Sequence, residues 1–209
     1  YTITDLQRAA RQLSERIGTE RGRPLHLAVR IATSLEACAD IGYDIQTWLD
    51  EDLVDVVIGG ANAATDPAVE VARFVELCRL RGVLFYPGFD GGLPDPWVGP
   101  EAPVRKDRLR TRAIAARHRQ AGADGIYVFN WHSGAEGPRP ALLREVGEAA
   151  TLEGVDKVYA ATHRYLVYEG NWRGAYRNDR RRGQVPVPLR STLTGSGPVI
   201  DVETAESST

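Results

Sequence analysis

Residues 54–60, Val-Asp-Val-Val-Ile-Gly-Gly, form a short and mostly apolar run that ends in two glycines. A strand that is covered on both faces in a parallel sheet has this pattern, because neither of its faces needs to be polar. Helical patterns lie on both sides of the run: two short ones over residues 35–52, and one that begins near Asp66-Pro67 and ends at Gly82. The stretch therefore predicts one strand of a parallel sheet, joined to its neighbours by helices.

Three other stretches have the same character, so four parallel strands are predicted. They follow one another at intervals of about 30–40 residues, as strands joined by helical crossovers do. In the first stretch aliphatic residues alternate with other residues, which places the aliphatic side chains on one face. No stretch before Tyr165 resembles a hairpin. The four predicted strands cover residues 25–31, 54–58, 83–86 and 125–131.

A helix is predicted ahead of the first strand. Thr4 and Gln7 have the spacing of a capping box, and Gly18 is a stop signal. Another helix is predicted over residues 106–121, and a last one opens near Pro140. The apolar residues of the first helix that recur at helical spacing, and that are expected to face the core, are Leu6, Ala10, Leu13 and Ile17.

This order of elements predicts an α/β fold, the C-terminal half of a (β/α)₈ barrel built from four βα units. An open doubly wound sheet is the alternative, and a glycine-rich phosphate loop after the first strand would favour it. Residues 32–36, Ala-Thr-Ser-Leu-Glu, follow that strand and contain no glycine, so the barrel is preferred. Beyond residue 165 short strands and turns are predicted, which makes residues 1–165 the half barrel and residues 166–209 the start of a β-rich domain or tail.

Composition and charge limit the classes of binding partner that the sequence suggests. The 209 residues carry a net charge of −2, so the overall balance favours neither a nucleic acid nor a membrane surface as partner. The basic run over residues 177–182 is interpreted as a solvated loop. Cys38 and Cys78 lie among apolar neighbours and are predicted to be buried free thiols. The chain begins at Tyr1 and contains no methionine, so the native N-terminus is expected to be missing, and the compartment stays open.

Candidate site residues are sought where the strands end, because barrel active sites lie at the C-terminal ends of the strands. Arg30 alternates with the aliphatic residues of the first strand and is expected to point into the barrel mouth. There it either pairs with an acidic residue of another strand or contacts substrate. The candidates for substrate binding are Arg30, Asn62, Tyr86, Asn130, Trp131 and His132.

Asp90 is the candidate catalytic residue, because a carboxylate on a glycine-flanked loop after the third strand can approach a ligand closely. An ordinary turn role is the alternative. Trp131 offers a flat surface for a sugar ring, although an aromatic residue at a strand end can also fill the core. No histidine spacing typical of a metal site occurs, and neither a metal nor an organic cofactor is predicted.

Several stretches resemble bacterial family-ten-like glycosyl hydrolases, proteins with a TIM barrel that are largely uncharacterised. The stretches are residues 22–31 (GRPLHLAVRI), 42–49 (GYDIQTWL), 53–55 (LVD), 122–131 (GADGIYVFNW) and 156–159 (DKVY). The resemblance covers roughly residues 1–165, and the tail resembles the β-domain that follows the barrel in such proteins. It implies that the first four strands, with an acidic strand, precede this chain.

The resemblance implies a carbohydrate-active hydrolase in which this chain supplies half of the substrate cleft, with Arg30, Asn130 and Trp131 as the retained part of the pocket. Glycoside hydrolysis usually needs two carboxyl groups, and Asp90 alone is well placed here. The chain by itself is therefore expected to be inactive. A non-catalytic sugar-binding barrel, or a barrel enzyme of another class such as an isomerase or aldolase, stays open.

Overall fold

The computed structural model describes residues 2–60, 69–89, 103–129 and 139–159. The chain divides into two units, residues 1–92 with 118–132, and residues 93–117 with 133–209. Helix α5 begins in the second unit and ends in the first. The elements are α1 Ile3–Arg21, β1 Ala28–Ile31, α2 Leu35–Asp40, α3 Ile45–Asp50, β2 Val56–Gly59, α4 Val71–Arg79, β3 Leu84–Phe89, α5 Pro103–Gln120, β4 Tyr127–Val128, α6 Arg139–Gly147 and a 3₁₀ turn, Ala150–Leu152.

The first unit contains a four-stranded sheet in which every neighbouring pair is parallel, in the order β1-β2-β3-β4. The sheet curls as half of a barrel does, so the predicted α/β half barrel is confirmed at this level. All four predicted strands form, although each begins later than predicted or extends beyond its predicted end. The predicted boundary near residue 165, the β-rich tail and the cap at Asp66-Pro67 lie outside the described residues.

One face of the sheet is buried under helices. Val57 and Phe85 are neighbours in register on β2 and β3, and both are fully buried in the main hydrophobic core. Phe74 of α4 stacks on Phe85 with the ring centroids 5.0 Å apart. Burial of one such side chain contributes about 1.5–3 kcal/mol. The predicted free thiols, Cys38 and Cys78, are confirmed in this core, where burial raises the pKa of each thiol, to about 11 and about 12.

Helix α1 differs from its prediction at both ends. Thr2, not Thr4, is the N-cap, and it forms a capping box with Asp5. The helix continues through Gly18 and ends at Gly22, whose φ of 66° is the left-handed conformation that glycine adopts readily. The N-cap predicted at Thr4 and the stop predicted at Gly18 are therefore both wrong, because the caps are Thr2 and Gly22.

The buried face of α1 also differs from the predicted apolar stripe. Leu6 and Leu13 are 63% and 46% exposed, and the buried residues of the helix are Thr4, Ser14 and Gly18. A Cβ at Gly18 would lie 3.3 Å from the Arg23 carbonyl oxygen, so the helix approaches the backbone of the following segment too closely for large side chains. The two leucines of the predicted stripe are therefore exposed, and small residues occupy the buried face of the helix.

Two aspartates hold the strands together at their N-terminal ends. Asp55 donates its backbone N–H to the Leu27 carbonyl oxygen and accepts the Leu27 N–H at its carboxylate, at 2.6 Å. Asp124 makes the same pair of bonds with Phe85, and its carboxylate accepts at 2.9 Å. Each aspartate thus joins two parallel strands with a two-point contact just before the second strand begins, and Arg11 also pairs with Asp55.

In the second unit, α5 and α6 are joined by charge. Glu145 of α6 accepts hydrogen bonds from the guanidinium groups of Arg108 and Arg112. These two arginines hold the pKa of the Glu145 carboxyl well below its usual range, at about 2. The Leu109 carbonyl also accepts the N–H of Val158. No helix in the described part of the chain is long and apolar enough to span a membrane.

Replacing Thr4 with Val should lower the free energy of unfolding by about 1–3 kcal/mol, because the buried Trp48 indole N–H would lose its acceptor. That N–H donates to Thr4 Oγ1 at 2.9 Å. Chemical denaturation of the full-length protein measures the loss. Thr19→Val, at an exposed position of the same helix, is the control and should change the value by less than about 0.5 kcal/mol. Equal losses in the two variants would show that the hydrogen bond contributes nothing specific.

Glu145→Gln should destabilise the protein at neutral pH and not at strongly acidic pH. Because the folded pKa lies below the unfolded value, the ion pairs stabilise the fold above the unfolded pKa and lose this effect as pH falls toward about 2. The difference in Tm between wild type and variant should therefore shrink from pH 6 to pH 2. Glu153→Gln, at an exposed position, is the control. A difference in Tm that is constant over this range contradicts the assignment.

Candidate functional site

Arg30 lies on the face of the sheet opposite to the one that packs against the helices of the main core. Its neighbours along β1, Val29 and Ile31, belong to the helix-facing side and pack in or against the main core. Side chains alternate between the two faces of a strand, so Arg30 occupies the opposite face. In register it aligns with Ile58 of β2 and Tyr86 of β3, which share that face with it. Arg30 and Tyr86 are thus the predicted site residues that the structure brings to one surface.

The Arg30 side chain reaches the far end of the sheet. Its Cζ lies 4.7 Å from the centroid of the Phe129 ring, and Phe129 follows β4 directly. In a flat sheet three inter-strand spacings of about 4.8 Å would separate these two chain segments by about 14 Å. Because β4 pairs Tyr127 with Gly88, Phe129 also lies four residues, roughly 13 Å, beyond the register of Arg30 along the strands. The two offsets together exceed the combined reach of both side chains, so the contact requires the sheet to curl toward this face. This face is therefore the concave one.

Two glycines form the floor beneath the guanidinium. A Cβ at Gly60 would lie 3.5 Å from Arg30 Nε and 3.6 Å from the Gly88 Cα, so the two glycines and the arginine are in close proximity. Gly60 follows β2 directly, and Gly88 lies near the end of β3 and is buried. Because neither residue has a side chain, the guanidinium of Arg30 can lie directly over the backbone at these two strand ends.

The Tyr86 ring on the concave face lies against a third glycine, Gly125, which precedes β4. A Cβ at Gly125 would come within 2.7 Å of the Tyr86 ring, closer than any stable contact allows. The ring therefore covers the backbone that leads into β4. Tyr127 pairs in register with Gly88, so the same face carries an aromatic residue on β4 itself.

The concave face is aromatic and apolar around one cation. In the part of the strands that the structure describes, it carries Arg30 as its charged residue and no carboxylate. A guanidinium offers five N–H donors and stacks on aromatic faces, and aromatic rings bind the apolar faces of sugars. The arrangement suits a ligand with both an apolar face and hydrogen-bonding groups.

Sequence reasoning missed Phe129 and Tyr127. The signal was available, because residues 125, 127 and 129 alternate with 126 and 128 and so share one face of a strand. It was obscured by the more conspicuous polar cluster that follows. Phe129 is 37% exposed, which leaves part of its ring accessible beside Arg30.

Glu70 is a carboxylate near the same ends of β1 and β2 that was also missed. Its carboxylate accepts the N–H of Leu35 at 3.3 Å, and its own backbone N–H donates to the Thr33 carbonyl at 2.9 Å. Arg73 lies 3.7 Å from it. Glu70 thus ties the segment after β2 to the segment after β1, and these contacts mark it as a brace for the strand ends.

The other predicted site residues cannot be placed. Asn62, Asp90, Asn130, Trp131 and His132 lie outside the described residues, so their roles stay predictions. Within the described ranges no group of three or more His, Cys, Asp or Glu residues is arranged to hold a metal ion. Four acidic residues on the segment between β1 and β2 are exposed and far from a candidate catalytic role: Glu36, Glu51, Asp52 and Asp44, the last of which caps α3.

Comparison with known proteins identifies no family for this chain. No model of a known protein family matches the chain, and no curated protein matches it significantly. The functional argument therefore depends on the geometry of the concave face and on the sequence resemblance.

Gly125→Ala should lower the free energy of unfolding by about 1–3 kcal/mol, because the new methyl group would overlap the Tyr86 ring. In a Tyr86→Leu background the same substitution should cost less, since the ring is gone, and a double-mutant cycle measures this difference. Gly147→Ala is the control: a Cβ there meets nothing within 4 Å, and Ala favours a helix over Gly. An identical cost of Gly125→Ala in both backgrounds would contradict the packing.

Proposed function

We propose that the chain supplies half of the substrate cleft of a carbohydrate-active, glycoside hydrolase-like (β/α)₈ barrel. The observation that carries the proposal is the concave C-terminal end of a parallel half-barrel sheet, where Arg30 lies over a glycine floor against Phe129. In barrels of this kind the ligand binds at that end. The resemblance to family-ten-like glycosyl hydrolases agrees with this position.

In this proposal different residues contact different parts of a bound sugar. Phe129 and Trp131 stack on the apolar face of the ring, while Arg30, Asn62, Asn130 and His132 donate hydrogen bonds to its oxygens. Tyr86 lines the wall through its contact with Gly125. Asp90 is one of the two carboxyl groups that hydrolysis requires, and the second comes from the other half of the barrel.

A non-catalytic sugar-binding barrel is the second candidate. The observation that favours it is the lack of any carboxylate on the concave face in the described part of the strands. Such a protein would use the same arginine and aromatic residues and would not depend on Asp90. A barrel enzyme of another class, such as an isomerase or aldolase, has no comparable observation in its favour.

The test is binding and turnover of oligosaccharides by the full-length protein. Phe129→Ala should weaken oligosaccharide binding by about 1–3 kcal/mol, the scale of one large apolar contact, as measured by calorimetry. Leu84→Ala is the matched control, because Leu84 lies on the same face at the opposite end of the sheet and should not contact the ligand. Asp90→Asn should reduce kcat by a factor of about 10² or more and leave Kd nearly unchanged.

The outcomes separate the candidates. Sugar binding without turnover, unaffected by Asp90→Asn, would replace the hydrolase by the sugar-binding barrel. Equal losses of affinity in Phe129→Ala and Leu84→Ala would move the ligand away from the strand ends. Failure to bind any oligosaccharide would contradict both carbohydrate proposals.

A further inference from the structure

Helix α1 carries a row of apolar side chains that stays exposed in the structure. Ile3, Leu6 and Leu13 are 41%, 63% and 46% exposed, and Ala10 and Ile17 are partly exposed. The five residues recur at intervals of three or four, so they form one continuous stripe along the helix, here called the α1 stripe. Single exposed aliphatic residues are ordinary, but a continuous apolar row of this length is typical of a surface that another element covers.

The α1 stripe lies on the side of the helix away from α3. Thr4 of α1 accepts the indole N–H of Trp48 in α3, which fixes the side of α1 that faces this neighbour. At about 100° per residue, Leu6 and Leu13 lie on roughly the opposite side of the helix from Thr4. The exposure of the two leucines is therefore explained by their position, because α3 packs on the other flank.

Strand β1 lies at one edge of the sheet, and its strand neighbour among the described residues is β2. The carbonyl oxygens of Leu27 and Ile31 accept the N–H groups of Val56 and Gly60, so these two residues direct their backbone toward β2. Alternate residues of a strand direct their backbone groups to opposite neighbours, so Ala28 directs its N–H and carbonyl away from β2. Ala28 is exposed. This side of the strand, the outer edge of β1, can accept a further strand.

The α1 stripe and the outer edge of β1 belong to the same side of the unit, because α1 leads directly into β1. In a parallel sheet the helix before a strand is the crossover from a neighbouring strand, and it packs over both strands. β2 follows β1 in the chain and is reached through α2 and α3, so a strand that α1 connects to β1 belongs at the outer edge. A helix and strand added there would pack on the stripe and pair with Ala28 together.

We infer that the α1 stripe and the outer edge of β1 form one docking surface for a helix–strand unit of the other half of the barrel. The unit supplies a strand parallel to β1, like every described pair in this sheet, and an apolar helix face that packs on Leu6 and Leu13. The inference rests on the half-barrel part of the proposed function and specifies where the second half joins. It does not depend on which ligand the cleft binds.

Thiol labelling of the full-length protein tests the helix part of this surface. Cys38 and Cys78 are buried and should contribute little background. The probe is Leu13→Cys, and the matched control is Gln12→Cys, the adjacent residue about 100° around the helix, which is also exposed in the structure. Leu13→Cys should react about tenfold or more slowly than Gln12→Cys, because the docked helix covers residue 13 alone.

Hydrogen exchange of the wild-type protein tests the strand part and needs no variant to fold. The Ala28 amide should exchange about tenfold or more slowly than in an unfolded chain, because the added strand accepts its N–H. Circular dichroism confirms that both cysteine variants are folded, and Leu6→Cys is a second probe of the stripe. Sedimentation of the same samples measures the oligomeric state.

Equal labelling rates at residues 12 and 13, or an Ala28 amide that exchanges as in an unfolded chain, would overturn the inference and leave sugar binding to judge the proposed function. Slow labelling of Leu13→Cys that is lost on dilution, together with a dimer in sedimentation, would also overturn it, because a second copy would then cover the stripe. Slow labelling in a monomer with a protected Ala28 amide supports the inference, even if no oligosaccharide binds and the carbohydrate function fails.

Discussion

Phe85 and Val57 lie side by side at the centre of the sheet and bury fully beneath α4, and this contact decides which face of the sheet the helices cover. Side chains alternate along each strand, so the residues between them are directed to the opposite face. Arg30, Ile58 and Tyr86 occupy that face as one row in register. Among the described residues, packing of the core therefore determines which face of this sheet can line a cleft.

The two ends of the sheet differ in the contacts that their strands make. At the N-terminal end Asp55 and Asp124 lock neighbouring strands with paired hydrogen bonds. Near the C-terminal end Gly60 and Gly88 let neighbouring backbones and the Arg30 side chain approach closely. The division between a hydrogen-bonded N-terminal end and a glycine-lined C-terminal end is the one found in barrels that bind ligands at the C-terminal ends of their strands.

The sequence predicted those features that depend on periodicity. Four strands, their parallel order and the side of β1 on which Arg30 lies all follow from alternation and spacing, which are local properties. The face of α1 was predicted wrongly because Thr4 is buried by its bond to Trp48, a residue 44 positions away. Alternation placed Phe129 on the Arg30 face of β4, but the contact between the two side chains depends on the curl of the sheet, and curling leaves no mark in a local pattern.

The central claim is that the sheet curls enough for Arg30 to lie against Phe129 over the glycine floor. A double-mutant cycle with Arg30→Met and Phe129→Leu, measured by denaturation of the full-length protein, tests this contact directly. The account predicts a coupling free energy of about 0.5–2 kcal/mol, as expected for a cation above an aromatic ring. A coupling indistinguishable from zero would mean that the two residues do not meet, and the curled, concave cleft would have to be abandoned.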